Sequence, residues 1–246
     1  MQELQGKVAL VTGGSRNIGR AIGLALATAG AHVAVVARKD AATANATVAE
    51  LRALGVLAEA FLGDVADPVD SKRLVNAATE RFGKLDILVN NAAVRTEVPF
   101  ADLSYQQWRD VLGIALDGAF LCSQAALPAL SASGAGAIIN IGGLTAYTGG
   151  KHRAHVIAAK AGLDGLNRAL AVELAPLNIT VNLVSPGLID TVRTGAAPHH
   201  HQSSGTLVGR RGTPEEVAGL VRYLAGPTAR FITGQTLHVN GGAYLG

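Results

Sequence analysis

The chain has 246 residues, of which 49% are hydrophobic and 16% are charged, and its formal net charge is +3 at pH 7. This apolar content excludes a disordered chain, and the small charge with only 4% aromatic residues argues against a nucleic-acid-binding surface. The single cysteine, Cys122, excludes a disulfide framework and fits a reducing compartment.

The sequence also argues against a membrane protein. Its first residues lack the basic-then-apolar order of a signal peptide, and the two uncharged stretches, 21–37 and 118–150, are interrupted by glycines and polar residues. Neither stretch supplies the roughly 20 apolar residues that a transmembrane helix needs. We therefore expect a cytoplasmic protein with neither a membrane nor a nucleic-acid partner.

Short apolar runs alternate with helix-forming segments along the whole chain. The predicted strands are Val8–Thr12, His32–Ala37, Leu57–Leu62, Leu85–Val89, Ala137–Ile141, Thr180–Val184 and Thr236–Val239. The predicted helices are Ile18–Ala29, Ala41–Leu54, Pro68–Phe82, Tyr105–Ala129, Ala154–Ala175 and Pro214–Ala225. This alternation predicts one α/β domain over residues 1–246, a doubly wound parallel sheet of about seven strands with helices on both faces.

The first predicted strand runs into a glycine-bearing turn, whose sequence over residues 13–19 is GGSRNIG. Exposed amides at such a turn, together with the dipole of the following helix, favour a phosphate group. The spacing differs from the G-x-G-x-x-G dinucleotide fingerprint. Asparagine is the non-glycine residue that best tolerates positive φ, so Asn17 is compatible with the turn. The alternative is a glycine-rich turn that binds nothing.

Further landmarks stand where the predicted strands end, which is where parallel sheets place their ligands. They are Arg38, Gly63-Asp64-Val65, Asn90-Asn91-Ala92-Ala93, Pro186-Gly187-Leu188-Ile189-Asp190-Thr191, residues 209–216 and Ile232-Thr233-Gly234-Gln235. In order and spacing this set resembles the short-chain dehydrogenase/reductase family, most of all its 3-oxoacyl-carrier-protein reductase type. The glycine turn fits the family pattern T-G-x-x-x-G-I-G, except that Asn17 replaces the middle glycine.

This resemblance implies a Rossmann-type fold, an oxidoreductase and a bound dinucleotide. It implies that Asp64 and Val65 contact the adenine and that residues 91–93 lie behind the ribose. It also implies that residues 186–191 lie around the nicotinamide. The cofactor-binding residues it implies are Gly13, Ser15, Arg16, Asn17, Ile18, Gly19, Arg38, Asp64, Val65, Asn91, Ala92, Ala93, Lys160, Pro186, Gly187, Ile189 and Thr191.

The choice between NAD(H) and NADP(H) follows from the residues after the second predicted strand. NAD-binding folds place an acid there to bond the ribose hydroxyls, whereas this chain has Arg38 and Lys39, with Arg16 in the glycine turn. Arginines suit a 2′-phosphate, which they grip through paired donors. We expect NADP(H) to be favoured over NAD(H). In the alternative interpretation Arg38 and Lys39 only begin a solvated helix.

The resemblance also implies a catalytic Asn, Ser, Tyr and Lys, of which only Lys160 is kept. Val156 stands where the tyrosine belongs, Gly143 replaces the serine and Ala115 replaces the asparagine. In the family the tyrosine moves the proton, the lysine lowers the tyrosine pKa and binds the ribose, the serine holds the substrate oxygen, and the asparagine anchors a relay water. The active site is therefore predicted to be atypical.

Neighbouring side chains are candidates to replace the missing acid. Tyr147 lies in the glycine-rich loop after the fifth strand, and His152 and His155 flank the entry to the next helix. Histidine carries protons near neutral pH. We place the substrate pocket at Gly143, Tyr147, Arg153 and His155. The alternative is that these residues form a polar wall or face solvent.

Residues 192–208 occupy the place of the family's substrate lid. Three consecutive histidines, residues 199–201, cannot all face one metal, so we predict no metal site. The ending with Gly234-Gln235 and Gly241-Gly242 resembles that of tetrameric members, which implies a homotetramer.

Two functions are compatible with these residues. One is an NADP(H)-dependent oxidoreductase with a rebuilt site, whose unidentified small-molecule substrate is a carbonyl or an imine. The other is a catalytically inert member that acts as a nucleotide sensor or forms a hetero-oligomer with an active relative.

Overall fold

The fold is one sheet flanked by helices, formed by residues 2–192 and 205–246, which the computed structural model describes. The strands are β1 Val8–Thr12, β2 His32–Ala37, β3 Ala58–Leu62, β4 Ile87–Asn90, β5 Ala137–Ile141, β6 Thr180–Pro186 and β7 Thr236–Val239. The helices are α1 Asn17–Thr28, α2 Ala41–Ala53, α3 Pro68–Phe82, α4 Tyr105–Leu112, α5 Gly118–Ala132, α6 Thr145–Thr148, α7 Ala154–Leu174 and α8 Pro214–Ala225.

All neighbouring strands of the sheet are parallel, in the order β3-β2-β1-β4-β5-β6-β7. The direction of winding reverses between β1 and β4, so that a crevice opens beyond the carboxyl ends of these two strands. The predicted single-domain Rossmann-type sheet of seven strands with helices on both faces is confirmed.

Two apolar cores cover the two faces of the sheet. On one face α1, α2 and α8 bury residues such as Ile22, Leu51 and Val221. On the other face α3, α5 and α7 pack against the strands, with Leu74 and Leu130 fully buried. Because both faces are covered, the strands read as continuous apolar runs, and these runs are the signal that located them in the sequence.

The prediction of one α-helix over Tyr105–Ala129 is wrong in its interior. A π turn, Gly113–Asp117, separates α4 from α5, and α5 continues to Ala132. Hydrophobic periodicity does not reveal a single wide turn inside a helix. A Cβ on Gly118 would lie 2.9 Å from Cγ2 of Val65, so glycine lets this turn approach the segment that follows β3.

Two smaller differences lie near the carboxyl edge. The short helix α6 forms in the stretch expected to be a loop, and β6 extends two residues further, through Pro186. Both depend on a long-range contact, because the Leu144 amide donates to the Pro186 carbonyl at 2.9 Å. The other helix and strand ends differ by one or two residues.

One helical run, Tyr105–Ala132, is long and apolar enough by composition to cross a membrane, with a mean hydropathy of 1.5. In the fold this run is α4 and α5 with the π turn between them. It packs against α3, α7 and strands β4 and β5. Its apolar character is therefore that of a helix that covers one face of the sheet.

Candidate functional site

A cavity of about 740 Å³ opens at the carboxyl edge, beside the β1–β4 crevice. Its walls come from the glycine turn, the ends of β2, β3 and β4, and the segment after β6. The predicted cofactor residues that line it are Gly13, Ser15, Arg16, Asn17, Ile18, Gly19, Arg38, Asp64, Val65, Asn91, Ala92, Ala93 and Thr191. Four others, Lys160, Pro186, Gly187 and Ile189, do not belong to this lining.

The cavity also contains residues that the sequence analysis did not assign to the site. They are Val36, Ala37, Asp40, Gly63, Val94, Arg95, Glu97, Ile114 and Val192. Four of them, Ala37, Gly63, Val94 and Val192, directly follow or precede a residue that was assigned, so the assigned segments already pointed to these four. Ile114 lies inside the π turn, which the sequence did not reveal.

The glycine turn is held against β4 by a small set of hydrogen bonds. Oγ1 of Thr12 accepts from the Asn91 and Ala92 amides at 2.9 and 3.0 Å, and Nδ2 of Asn91 donates to the Thr12 and Gly13 carbonyls at 3.0 Å each. A Cβ on Gly19 would overlap the Gly13 carbonyl, so α1 can start this close to the turn only with glycine there. The geometry fits a dinucleotide, whose phosphates need close approach to backbone amides at a helix N-terminus.

Cationic side chains gather at the β2 end of the cavity, where Arg16, Arg38 and Lys39 all line the wall. Two acids lie beside them: Asp64, whose Oδ2 is 4.0 Å from Arg38, and Asp40, which caps α2. Oδ1 of Asp40 accepts from the Thr43 amide at 3.0 Å and Oδ2 from the Thr43 hydroxyl at 2.6 Å. These bonds lower the pKa of Asp40. Asp40 therefore stays ionised, and this end of the cavity carries a net positive charge because its three cations outnumber its two acids.

Lys160 is buried on α7, one helical turn beyond Val156. Its Nζ donates to the Ile141 carbonyl at the end of β5, at 2.5 Å. Burial, with the Arg95 guanidinium nearby, lowers the pKa of Lys160 to about 7. An amine with this pKa loses much of its charge near neutral pH.

The positions implied to have lost their catalytic groups form apolar or open space. Val156 and Ala115 pack together with Val111 and Ala159 in one small buried cluster. A Cβ on Gly143 would meet nothing within 4 Å. Ala115 lies inside the π turn Gly113–Asp117.

His155 is fully buried and is not exposed to the cavity. Its Nε2 lies 2.7 Å from Oγ1 of Thr96, an exposed residue in the loop after β4. Burial, and the charge of Arg153, lower the pKa of His155. His152 is exposed with φ of 61°, and its carbonyl accepts from the Val98 amide at 2.8 Å.

Tyr147, the other candidate acid, lies in an aromatic cluster near the C-terminus. Its ring centroid is 4.8 Å from that of His238 and 5.5 Å from that of Tyr244. Burial raises the pKa of Tyr147, and its hydroxyl is close to Thr236 on β7 and Asp164 on α7. Tyr147, His152 and His155 thus each contact different neighbours in the part of the chain that the structure describes.

The remaining candidate residues are a cysteine and a run of histidines. Cys122 is buried in the core between α5 and the sheet, and burial raises the pKa of its thiol to about 12. Among residues 2–192 and 205–246, no group of three or more His, Cys, Asp or Glu side chains could hold a metal ion. The three histidines 199–201, and most of the proposed lid at 192–208, lie outside the described residues.

Known proteins resemble this chain over its whole length. A family model described as enoyl-(acyl carrier protein) reductase matches residues 13–244. The 3-oxoacyl-[acyl-carrier-protein] reductase FabG of Staphylococcus aureus is 40% identical over 242 residues, which are 97% of this chain and 98% of that relative. The chain belongs to the short-chain dehydrogenase/reductase family.

Solved structures of this family superpose closely on the chain. A short-chain dehydrogenase from Burkholderia cenocepacia in complex with NADP has a TM-score of 0.93 and 40% identity, and covers 98% of this chain and 99% of its own. A blue fluorescent protein from a metagenomic library in complex with NADPH has a TM-score of 0.93 and 36% identity, and covers 99% of this chain and 100% of its own. The predicted family is confirmed, and so is its dinucleotide-binding oxidoreductase fold.

Proposed function

We propose that the protein is an NADP(H)-dependent oxidoreductase of the short-chain dehydrogenase/reductase family with an atypical active site. The observation that carries this proposal is the position of Arg16, Arg38 and Lys39 in one wall of the cavity that the glycine turn forms. A 2′-phosphate there would meet paired guanidinium donors. The complexes of two structural relatives with NADP and NADPH support the same choice.

We infer that the substrate is one whose reduction needs no proton donor, such as an iminium ion. When bound, reduced nicotinamide supplies a hydride. Hydride addition to an iminium carbon moves the C=N electron pair onto nitrogen and cancels its positive charge, so no proton is required. The apolar cluster with Val156 and Ala115, and the open space at Gly143, would surround such a carbon with groups that contact it and donate no proton.

A carbonyl is the less favoured substrate, because its reduction leaves an alkoxide that must be protonated. A general acid contributes about 10²–10⁴ in rate and an oxyanion donor about 10²–10³. Neither group stands at Val156 or Gly143. Carbonyl reduction through the family's route is therefore expected to be close to background, unless Tyr147, His152 or His155 supplies the proton.

The second candidate function is a catalytically inert nucleotide sensor or a partner subunit of an active relative. Lys160 favours it, because its amine is directed to the Ile141 carbonyl and its charge is reduced by burial. In this function the cofactor-binding residues would bind the dinucleotide, and no hydride would be transferred. The assembly would be a homotetramer for a sensor, or a hetero-oligomer with an active subunit, in the cytoplasm.

The test separates binding from turnover. Calorimetric titration of the purified protein with NADPH and with NADH should show tighter binding of NADPH. Equal affinities would contradict the assignment to Arg16 and Arg38. Single-turnover oxidation of bound NADPH is then followed with a panel of cyclic imines, which react as iminium ions after protonation in water, and with a panel of ketones. Oxidation by imines supports the oxidoreductase, and tight binding without oxidation by either panel supports the inert function.

Assembly is measured on the same sample by light scattering, with four chains as the expected stoichiometry. A monomer that assembles only when an active relative is added would favour the partner-subunit function.

A further inference from the structure

The loop that follows β4 packs along the segment that leads into α7. Nε2 of His155 lies 2.7 Å from Oγ1 of Thr96, and the Val98 amide donates to the His152 carbonyl at 2.8 Å. The next residue on α7 is Val156, where we infer that the catalytic tyrosine has been lost. These two contacts therefore bring this loop to the edge of the vacated catalytic position.

Arg95, the residue before Thr96, borders the dinucleotide cavity. It is exposed and lines the cavity wall. Its guanidinium is near the buried amine of Lys160, which lies on α7 one helical turn beyond Val156, and its charge adds to the effect of burial in lowering the pKa of that amine. Arg95 is thus adjacent both to the cavity and to the apolar cluster that contains Val156 and Ala115.

The two segments that meet here, residues 91–98 and 149–158, carry more positive than negative charge. Their Lys, Arg, Asp and Glu side chains are those of Arg95, Lys151, Arg153 and Glu97. Arg153 is only 8% exposed, and its charge adds to burial in lowering the pKa of His155. Three cations against one acid leave an excess of positive charge beside the vacated position.

This positive charge is unfavourable for an iminium ion alone and favourable for one that also carries an anion. Two like charges repel more strongly in a partly buried site than in water. A carboxylate on the substrate offsets this repulsion, because it accepts paired hydrogen bonds from a guanidinium and makes the substrate neutral overall. Glu97 lines the same wall as Arg95, but its single carboxylate does not balance three cations.

We propose that Arg95 binds a carboxylate of the substrate, so that the protein selects imines that carry this group next to the C=N bond. This inference rests on the proposed function, because it names a substrate class for the same site. Hydride addition cancels the charge of the protonated nitrogen as before and leaves the carboxylate unchanged, so the product is a cyclic amino acid. In this role Arg95 determines specificity and takes no part in hydride transfer.

Two pairs of compounds differ in the carboxylate. The imine pair is a five-membered cyclic imine with a carboxylate on the C=N carbon and the same ring with a methyl group there, and the amine pair is their reduced forms. Arg95→Gln removes the charge, and Arg95→Lys keeps it without the paired donors. Arg109→Gln is the matched control, because Arg109 is exposed, pairs with Asp117 and does not line the cavity.

Calorimetric titration with the amine pair, in the absence and presence of NADP⁺, measures binding without turnover. We expect the wild-type protein to bind the carboxylate amine about tenfold to a hundredfold more tightly than the methyl amine, the range for charge-assisted hydrogen bonds. Arg95→Gln should abolish this preference, Arg95→Lys should keep part of it, and Arg109→Gln should keep all of it. Oxidation of NADPH by the imine pair should show the same preference in KM, with kcat nearly unchanged.

Equal binding of the two amines by the wild-type protein, or a preference that survives in Arg95→Gln, would overturn the proposal. So would an equal loss for both amines or a matching loss of NADPH affinity in Arg95→Gln, which would make Arg95 a structural residue or a cofactor contact. A carboxylate preference that depends on Arg95, without oxidation of NADPH by either imine, would contradict the proposed oxidoreductase and leave the carboxylate site in place. The two proposals are therefore separated by different measurements.

Discussion

At the scale of single residues, we propose that Arg38 determines the choice of cofactor. Its side chain is exposed in the cavity wall, 4.0 Å from Oδ2 of Asp64, a long contact that leaves the guanidinium able to turn towards a phosphate. Ion pairs this exposed contribute little to stability. Arg38 is therefore explained better by a ligand than by folding.

Replacing Arg38 with Asp should weaken NADPH binding by about tenfold to a hundredfold, because a charge-assisted hydrogen bond is lost and a like charge is added. NADH, which lacks the 2′-phosphate, should bind as well as before. Calorimetric titration of both nucleotides measures the two affinities. Lys72→Asp is the matched control, since Lys72 is exposed on α3 and does not line the cavity. An equal loss for NADPH and NADH would remove the role given to Arg38.

The missing catalytic groups are the second feature at this scale. Gly143 has open space where a serine side chain would stand, whereas a Cβ on the adjacent Gly142 would lie 2.5 Å from Cδ2 of Leu183. Val156 and Ala115 belong to the same apolar cluster, so the backbone brings these two positions together. We therefore propose that the site lacks catalytic side chains and keeps its scaffold.

The triple change Val156→Tyr, Gly143→Ser and Ala115→Asn should recover ketone reduction at least about a hundredfold above wild type, because it restores an acid and an oxygen-binding hydroxyl. Single-turnover NADPH oxidation with one ketone panel is the measurement. The matched control carries Val156→Phe with the other two changes, which supplies the same ring without the hydroxyl. Brisk wild-type reduction that disappears in His155→Ala or Tyr147→Phe would instead identify a substitute acid.

At the scale of elements, buried amides tie the sheet to the helices on one of its faces. Nδ2 of Asn90 on β4 donates to Oδ1 of Asn140 on β5 at 2.9 Å and to Oγ of Ser123 on α5 at 3.1 Å. Nδ2 of Asn140 donates to Oδ1 of Asn167 on α7 at 3.1 Å. Asn140 and Asn167 are fully buried. Through these bonds α7, which carries Lys160 and Val156, is positioned on the sheet.

Asn140→Ala should lower the free energy of unfolding by about 2–4 kcal/mol, because it leaves polar atoms of Asn90 and Asn167 buried without their partner. Urea denaturation measures the loss. Asn45→Ala, on the exposed side of α2, is the control and should stay within about 0.5 kcal/mol of wild type. Similar stabilities for the two variants would show that the amide chain does not hold α7.

At the scale of the whole molecule, Lys160 links folding to pH. Its pKa is about 7 in the folded chain, mainly through burial, against about 10.4 for an unfolded lysine. Between these values the unfolded state binds more protons, so stability rises with pH. Cys122 acts in the opposite direction above about pH 8.5, because its pKa is raised by burial and the unfolded thiol ionises first.

From pH 7 to pH 8.5 we therefore expect the free energy of unfolding of the cofactor-free protein to rise by up to about 2 kcal/mol. Lys160→Met should abolish the rise, and Lys72→Met, at an exposed position, should keep it. Urea denaturation at several pH values in this window gives the slope. A flat profile in the wild-type protein would show that Lys160 stays charged when folded.

The sequence alone determined the order of elements, the parallel sheet, the glycine turn and the family. These follow from local signals: β-branched runs such as Val8–Thr12 need burial on both faces, and the residues after each strand are brought to one edge by the parallel topology itself. Asn17 belongs to the same class, because its positive φ was expected from the turn and is 50° in the structure.

Only the tertiary structure decided what depends on contacts between distant segments. It produced the π turn beside Val65, the burial of His155 behind Thr96, the pKa of Lys160 and the bonds between Asn17 and Val192. Each of these depends on which segments pack against each other. Hydrophobic periodicity and residue type do not identify a contact partner that is far away in the sequence. Burial, charge and distance between such partners are properties of the folded molecule.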